Sequence, residues 1–208
     1  MAVIEVNHPL AKEKLTHLRN TQTDSDKFRK NLEELSLLIF LEASKNLPTQ
    51  SKKISTPFKE IDGTVIKKKI FLVTILRAGI GMVRMIREVF DNTSVGFVGL
   101  KRDENTLKPI TYFVNIPSKA KDSEVFLMDP MLATGGSILK TMEILEGYGV
   151  HSRSILSIIS APEGIDAVQK RYPAVDIYTA SIDEKLNDNG FIVPGLGDAG
   201  DRFFGTEE

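Results

Sequence analysis

Between Glu124 and Ser137 the chain reads EVFLMDPMLATGGS, a stretch that few architectures can accommodate. Val125, Phe126, Leu127 and Met128 form an apolar run suited to a strand buried on both faces. Asp129-Pro130 turns the chain, Thr134-Gly135-Gly136-Ser137 supplies only small residues, and Ile138, Met142 and Leu145 then recur at helical spacing. A strand thus delivers a loop to the start of a helix, where backbone N–H groups lack internal partners and the helix dipole is positive. Such a place welcomes an anion, with Thr134 and Ser137 adding hydroxyls and the glycines letting the backbone approach closely. It reads as a phosphate cradle. Asp129, at the strand's carboxyl end, suits a ribose hydroxyl or a magnesium ion held through water. Locally the same letters also fit an ordinary strand-to-helix connection with an Asp-Pro turn.

A chain of 208 residues with 41% hydrophobic content can bury one substantial core, so a single domain over 1–208 is expected. With 27 basic and 28 acidic residues the net charge is −1, which gives no sequence-wide reason to expect nucleic acid or an anionic membrane as partner. The absence of cysteine excludes disulfides, thiolate metal sites and a cysteine nucleophile. No apolar leader and no membrane-length apolar run is present, so the cytoplasm is the expected compartment.

In chain order, helices are expected at Ala11–Arg19 and Ser25–Lys45. The second carries Phe28, Leu32, Leu35, Ile39 and Ala43 on one stripe and is apolar nearly all round at its centre, so it calls for cover on two sides. Ile54–Ile66 reads as a hairpin turning at Asp62-Gly63. From Ile70 strands and helices alternate: strands at Ile70–Leu76, Val95–Leu100, Val125–Met128, Ser154–Ile159 and Val175–Thr179, helices near Met82–Phe90, Ser137–Tyr148 and Gly164–Arg171. That alternation predicts an α/β fold, a parallel sheet with helices on both faces and ligands at the carboxyl ends of the strands. Lys101–Asn115 reads as a protruding β-hairpin arm, and 181–208, rich in glycine and turn formers, as an irregular cap. The expected layout is N-terminal helices and hairpin over 1–69, an α/β core over 70–180 with the arm at about 101–115, and a hood over 181–208.

Three further pieces carry chemistry. Leu76-Arg77-Ala78-Gly79-Ile80-Gly81 follows an apolar strand; Arg77 either grips a pyrophosphate through two hydrogen bonds or pairs with a carboxylate at the sheet rim. Arg102, followed by Asp103 and Glu104, sits on the expected arm, where a solvated turn is the plain alternative. Gly190–Gly205 reads GFIVPGLGDAGDRFFG. Its Gly195-Leu196-Gly197-Asp198-Ala199-Gly200 satisfies a dinucleotide-binding pattern but follows a proline and precedes no βαβ unit, so it does not signal NAD. Phe191, Ile192, Val193, Phe203 and Phe204 would be costly to leave in water, which predicts an ordered segment.

Taken together, DPMLATGGS, RDENTLKP and IVPGLGDAGDRFFGT, in this order and preceded by HPLAKEKLTHLRN, resemble the uracil phosphoribosyltransferases, a branch of the type I phosphoribosyltransferase family. The likeness runs from about His8 to Thr206. Pro130 after Asp129, where most type I enzymes have a second acid, is shared with the uracil enzymes; Lys101 stands where they usually carry tyrosine, a change from which little chemical consequence is expected. The resemblance implies transfer of the 5-phosphoribosyl group of 5-phosphoribosyl-1-pyrophosphate (PRPP) to uracil, giving uridine monophosphate (UMP) and pyrophosphate. It implies PRPP binding by Arg77, Arg102, Asp129, Pro130, Met131, Leu132, Ala133, Thr134, Gly135, Gly136, Ser137 and Asp198, and uracil binding by Ile192, Gly197, Asp198 and Ala199. It implies catalytic roles for Arg77, Arg102, Asp129 and Asp198. Mg2+ is the implied cofactor, bound through PRPP and water with no residue as a direct ligand, and a homodimer or higher homo-oligomer is implied. Activation by GTP is left open.

Cleavage at the anomeric carbon builds negative charge on the pyrophosphate, so Arg77, Arg102 and the metal are the natural acceptors of that charge. Either Asp198 removes the uracil N1 proton, or that proton leaves late to water or pyrophosphate. The chief alternative is an RNA-binding regulator of pyrimidine genes on the same fold, which a basic face and a second loop acid would mark. A nicotinamide-dependent oxidoreductase and a non-catalytic nucleotide sensor are weaker rivals.

Overall fold

The computed structural model describes residues 2–102, 109–151 and 153–206, Arg102 by its backbone alone. Strand β1 (Val3–Glu5) leads into helices α1 (Pro9–Arg19) and α2 (Ser25–Ala43), followed by the β2 (Thr49–Ser55) and β3 (Glu60–Ile66) ribbon. The core then runs β4 (Ile70–Leu76), a 3-10 turn (Ala78–Met82), α3 (Arg84–Val89), β5 (Thr93–Arg102), β6 (Pro109–Asn115), β7 (Glu124–Met128), β8 (Met131–Leu132), α4 (Gly136–Gly147), β9 (Arg153–Ser160), α5 (Pro162–Arg171) and β10 (Asp176–Ile182). The chain ends in β11 (Lys185–Leu186), β12 (Ile192–Val193) and α6 (Ala199–Phe204).

The main sheet has the order β1-β10-β9-β7-β4-β5-β6, with β8 added beside β9. All of its pairings are parallel except β5 with β6. Alternation of side chains along β4 explains the two layers. Ile70 and Leu72 face a core built from α1, α2, α3 and α6, including Leu18, Phe28, Leu32, Leu35, Ile39, Ile86 and Phe203. Phe71, Val73 and Ile75 face the opposite core, where Ile138, Met142 and Leu145 of α4 meet Ile165 and Val168 of α5. A strand with helices on both sides must be apolar on both faces, and β4 is buried from Ile70 through Ile75. Helix starts follow local chemistry: Asp24 accepts from Lys27 N–H at 2.8 Å to cap α2, and prolines open α1 and α5.

The long stripe on α2 is covered within the chain. Phe28, Leu32, Leu35 and Ile39 are fully buried, each contributing about 1.5–3 kcal/mol of hydrophobic stabilisation.

Three sequence expectations need correction. The β2–β3 hairpin does not turn at Asp62-Gly63: Lys53 pairs with Asp62 and Lys52 with Gly63 inside the ladder. The turn is Thr56–Lys59, where the Thr56 hydroxyl accepts from Phe58 and Lys59 N–H groups and Pro57 ends the first strand. The helix expected at Met82–Phe90 is split into the 3-10 turn and α3. The C-terminal hood is less irregular than expected, since β11 pairs with β12 and α6 is a capped helix. Strand β1, too short to stand out in sequence, pairs with β10 at the sheet edge. Among the described residues no helix is long and apolar enough to cross a membrane.

Candidate active site

The carboxyl ends of β4 and β7 lie side by side, with Thr74 opposite Met128, so the segments at Arg77 and Asp129 emerge together. The Leu76–Arg77 and Val193–Pro194 peptide bonds are cis. After Asp129 the chain does not enter an open loop at once. Pro130 carbonyl accepts from Ile158 N–H at 2.9 Å, Met131 and Leu132 pair with Ile159 and Ser160, and Leu132 is fully buried. Pro130 and Leu132 are thus tied to the sheet, and the small-residue loop after them is Ala133–Ser137.

Gly135 caps α4 with φ of +81°, a left-handed conformation that glycine adopts without a steric penalty. The N-cap residue Gly135 has no side chain to cap this helix and the first turn holds no acidic residue; the Thr134 hydroxyl accepts from Gly136 N–H at a long 3.4 Å, a contact that an anion can replace. Asp129 and residues 131–138 enclose a cavity of about 70 Å³, and Ala133, Thr134, Gly136 and Ser137 share a second one, of about 200 Å³, with Leu100, Lys101 and Pro109 of the arm and Gly190 of the hood. The position at Lys101, expected to matter little, thus lines the space beside the cradle. A larger concavity of about 950 Å³ lies between α3 and β5, lined in part by Arg84, Arg87, Glu88 and Thr93; of the Leu76–Gly81 piece it includes Ile80 but not Arg77.

Burial pushes the Asp129 carboxyl up to about 7, against a smaller opposing effect of the Met131 N–H. A carboxyl withdrawn from water prefers its neutral form. Arg77 is mostly exposed, with Nη2 3.4 Å from Asp201 Oδ1. The rim pairing foreseen as one of its two readings is therefore present, but it is long and solvent-screened, and Arg77 can be recruited by an anionic ligand at little cost. Asp198 caps α6, its Oδ1 accepting from Gly200 N–H at 2.8 Å and Asp201 N–H at 2.9 Å. Arg77 and Asp198 thereby meet at Asp201, while Ile192 and Ala199 are buried and Gly197 is exposed with φ of +80°. The Arg102 backbone ends β5; its side chain, with Asp103 and Glu104, lies outside the described residues.

Several supporting residues escaped the sequence reading. An ideal Cβ on Gly164 would lie 2.3 Å from the Ala133 carbonyl oxygen, so the start of α5 forms the floor under the cradle. The hood is held by Arg202, which donates to the carbonyls of Leu18, Leu196 and Asn20, and by an ion pair between Arg19 and Asp183. Burial pushes the Asp183 carboxyl up, but hydrogen bonds from Arg19, Gly195 N–H and Ser181 outweigh it and hold the group below the usual carboxylate range. These partners stand far apart in the chain, and no local pattern announces them.

An α/β sheet with an uncapped small-residue cradle after its central strand, an adjoining arginine turn and a C-terminal hood defines a type I phosphoribosyltransferase. The fold is shared with adenine phosphoribosyltransferase from Trypanosoma brucei, at TM-score 0.58 and 16% identity over 90% of this chain and 86% of that one. The AQ2163 protein from Aquifex aeolicus matches far more closely, at TM-score 0.93 and 35% identity over 98% of both chains. The sequence profile described as uracil phosphoribosyltransferase matches residues 5–206, and the chain belongs to that family. Curated relatives named uracil phosphoribosyltransferase include those of Ureaplasma urealyticum, 49% identical over 97% of this chain and 98% of the relative, and Dictyoglomus turgidum, 48% identical over 99% and 100%.

Proposed function

We propose that PRPP and uracil meet in the cleft bounded by the cradle, the Arg77 turn and the hood, where the 5-phosphoribosyl group passes from PRPP to uracil to give UMP and pyrophosphate. The observation that carries this reading is the cavity of about 200 Å³ that joins the arm, the cradle and the hood in one place. In it, Ala133–Ser137 receive the 5′-phosphate on the N–H groups of α4 and the hydroxyls of Thr134 and Ser137. Asp129 holds the ribose hydroxyls. Arg77 leaves its weak contact with Asp201 to stabilise charge on the departing pyrophosphate, joined by Arg102 from the arm.

Uracil lies against the hood, where Ile192, Gly197 and Ala199 present main-chain groups. A main-chain N–H aimed at O4 of the base meets the amino group of cytosine donor to donor, which leaves both unpaired and rejects cytosine. Asp198, whose Oδ1 is engaged in capping α6, stands between base and PRPP. Among the described residues no cluster of three acidic or histidine side chains is placed to hold a metal. On this reading a Mg2+ ion would enter with PRPP, which together with water would supply its ligands. When bound, the ion supplies neutralisation of the pyrophosphate charge.

A homodimer is part of the proposal. Among the described residues the β2–β3 ribbon pairs with no other strand, Phe58 at its turn is 96% exposed, and Ile54, Ile61 and Ile66 are exposed beside it. Isolated two-stranded ribbons are marginal in water, and a second copy is the natural cover. The compartment in keeping with such salvage chemistry is the cytoplasm. Incubation with PRPP, Mg2+ and each nucleobase in turn tests the reading: nucleotide and pyrophosphate are expected with uracil alone. A product from a different base, or none from uracil, overturns it.

A further inference from the structure

A site that recognises its ligand with main-chain groups cannot aim them by choosing rotamers. Their direction depends on how the turn that carries them is held. In the hood the relevant turn is Pro194–Gly197, with φ of +65° at Gly195 and +80° at Gly197. Both backbone groups of Gly195 are gripped by one ion pair. Its N–H donates to Asp183 Oδ2 at 2.9 Å, and its carbonyl accepts from Arg19 Nη1 at 2.7 Å.

The pair is closed on itself as well. Arg19 donates in a fork, Nη1 to Oδ2 at 2.7 Å and Nη2 to Oδ1 at 2.5 Å, while Ser181 donates to Asp183 Oδ1 at 2.9 Å and accepts from Arg19 Nη2 at 3.2 Å. The Asp183 side chain is 1% exposed, so water cannot substitute for these partners. One residue further on, Arg202 Nη1 takes the Leu196 carbonyl at 2.8 Å. Two successive carbonyls are thus turned inward onto guanidinium groups, which leaves Gly197 and Asp198 as the exposed part of the turn. A planar fork fixes orientation in a way that a lysine ammonium cannot.

We propose that Arg19 and Asp183 are positioning residues for the base site: they fix the aim of the main chain over Gly195–Ala199 without touching the base. This assignment rests on the reading of Ile192–Ala199 as the place where uracil binds. It makes the last residue of α1, remote in sequence, a determinant of uracil recognition. Asp183→Ala would strip the half-buried Arg19 and the Gly195 N–H of their partner and risks unfolding, so the informative variants are Arg19→Lys and Asp183→Asn, made singly and together. Circular dichroism and thermal melting are to be recorded with uracil KM, PRPP KM and kcat. Folded variants are expected whose uracil KM rises by at least about tenfold while PRPP KM stays within about twofold, with the double variant no worse than the poorer single one. Uracil KM within twofold of wild type in both variants overturns the proposal. So does an equal rise of both KM values, or loss of folding in all three, which would reduce the pair to a structural tie. Wild-type protein that forms no UMP sinks instead the base-site reading underneath.

Discussion

Gly164 and Ala133 approach each other so closely that α5 and the phosphate cradle cannot be moved independently: a Cβ on Gly164 would come within 2.3 Å of the Ala133 carbonyl oxygen and 2.9 Å of that of Leu132. Alanine is ordinarily favoured over glycine in a helix by about 1 kcal/mol. Here it meets backbone that has no rotamer to yield, and overpacking costs about 1–3 kcal/mol. Gly164→Ala is expected to lower the melting temperature by several degrees and to raise PRPP KM by about tenfold at saturating uracil. A variant more stable than wild type with unchanged PRPP KM would show that the floor of the cradle is softer than this.

Arg77 offers the opposite case, a residue whose removal should spare the fold. Its contact with Asp201 is long and mostly exposed, and such pairs contribute less than about 1 kcal/mol. A charge-assisted grip on a leaving pyrophosphate contributes considerably more. Arg77→Ala is accordingly expected to shift the melting temperature by no more than about 2 °C while reducing kcat/KM for PRPP by about two orders of magnitude. Steady-state kinetics with PRPP varied, beside a melting curve, separates the two effects. A large loss of stability with modest kinetic change would return Arg77 to the sheet rim.

How much of this was legible beforehand depends on how far apart the cooperating residues lie. The apolar runs that alternate with helical segments from Ile70 onward and the small-residue loop after Met128 are local, and both the sheet and the cradle follow from them. The Thr56 turn was missed because Asp62-Gly63 is a strong hairpin signal, and the competing cue, a proline that cannot continue the ladder, acts through pairing with residues beyond it. Asp198 in front of Ala199–Phe204 is an N-cap signal hidden among glycines. Arg19 and Asp183 are separated by 164 positions, and their meeting is a property of the packed sheet and helices rather than of either segment.

Lys101, noted in the sequence as standing where the family usually has tyrosine, was expected to have little chemical consequence, because an isolated cation says nothing until its neighbours are known. It lines the cavity shared with Thr134, Gly136 and Ser137, so its charge acts on the space proposed above for the sugar phosphate. Lys101→Ala is expected to raise PRPP KM by about three- to tenfold and to flatten its dependence on salt, with Lys101→Arg close to wild type. PRPP KM measured at low and high ionic strength checks this, and an alanine variant with the wild-type salt response would rule it out.

Asp129 ties stability to activity through a single proton. An unfolded chain gives up that proton near 3.8, the folded chain only near 7, because burial disfavours the charged form. Below pH of about 4 the carboxyl is protonated in both states and costs nothing. Between about 4 and 7 the unfolded state ionises first, and above about 7 the folded state carries the full penalty, on the order of 4 kcal/mol at most. Asparagine at 129 keeps the shape and removes the charge. Asp129→Asn is therefore expected to melt several degrees above wild type at pH 8, with the gap closing as pH falls towards 4. The same variant should lose about two orders of magnitude in turnover at saturating PRPP, since a neutral amide is a poorer partner for two ribose hydroxyls. Thermal melts across pH and a single saturating rate assay measure both. A stability gap independent of pH would place its origin elsewhere than in the buried charge, and an unchanged rate would remove Asp129 from the site.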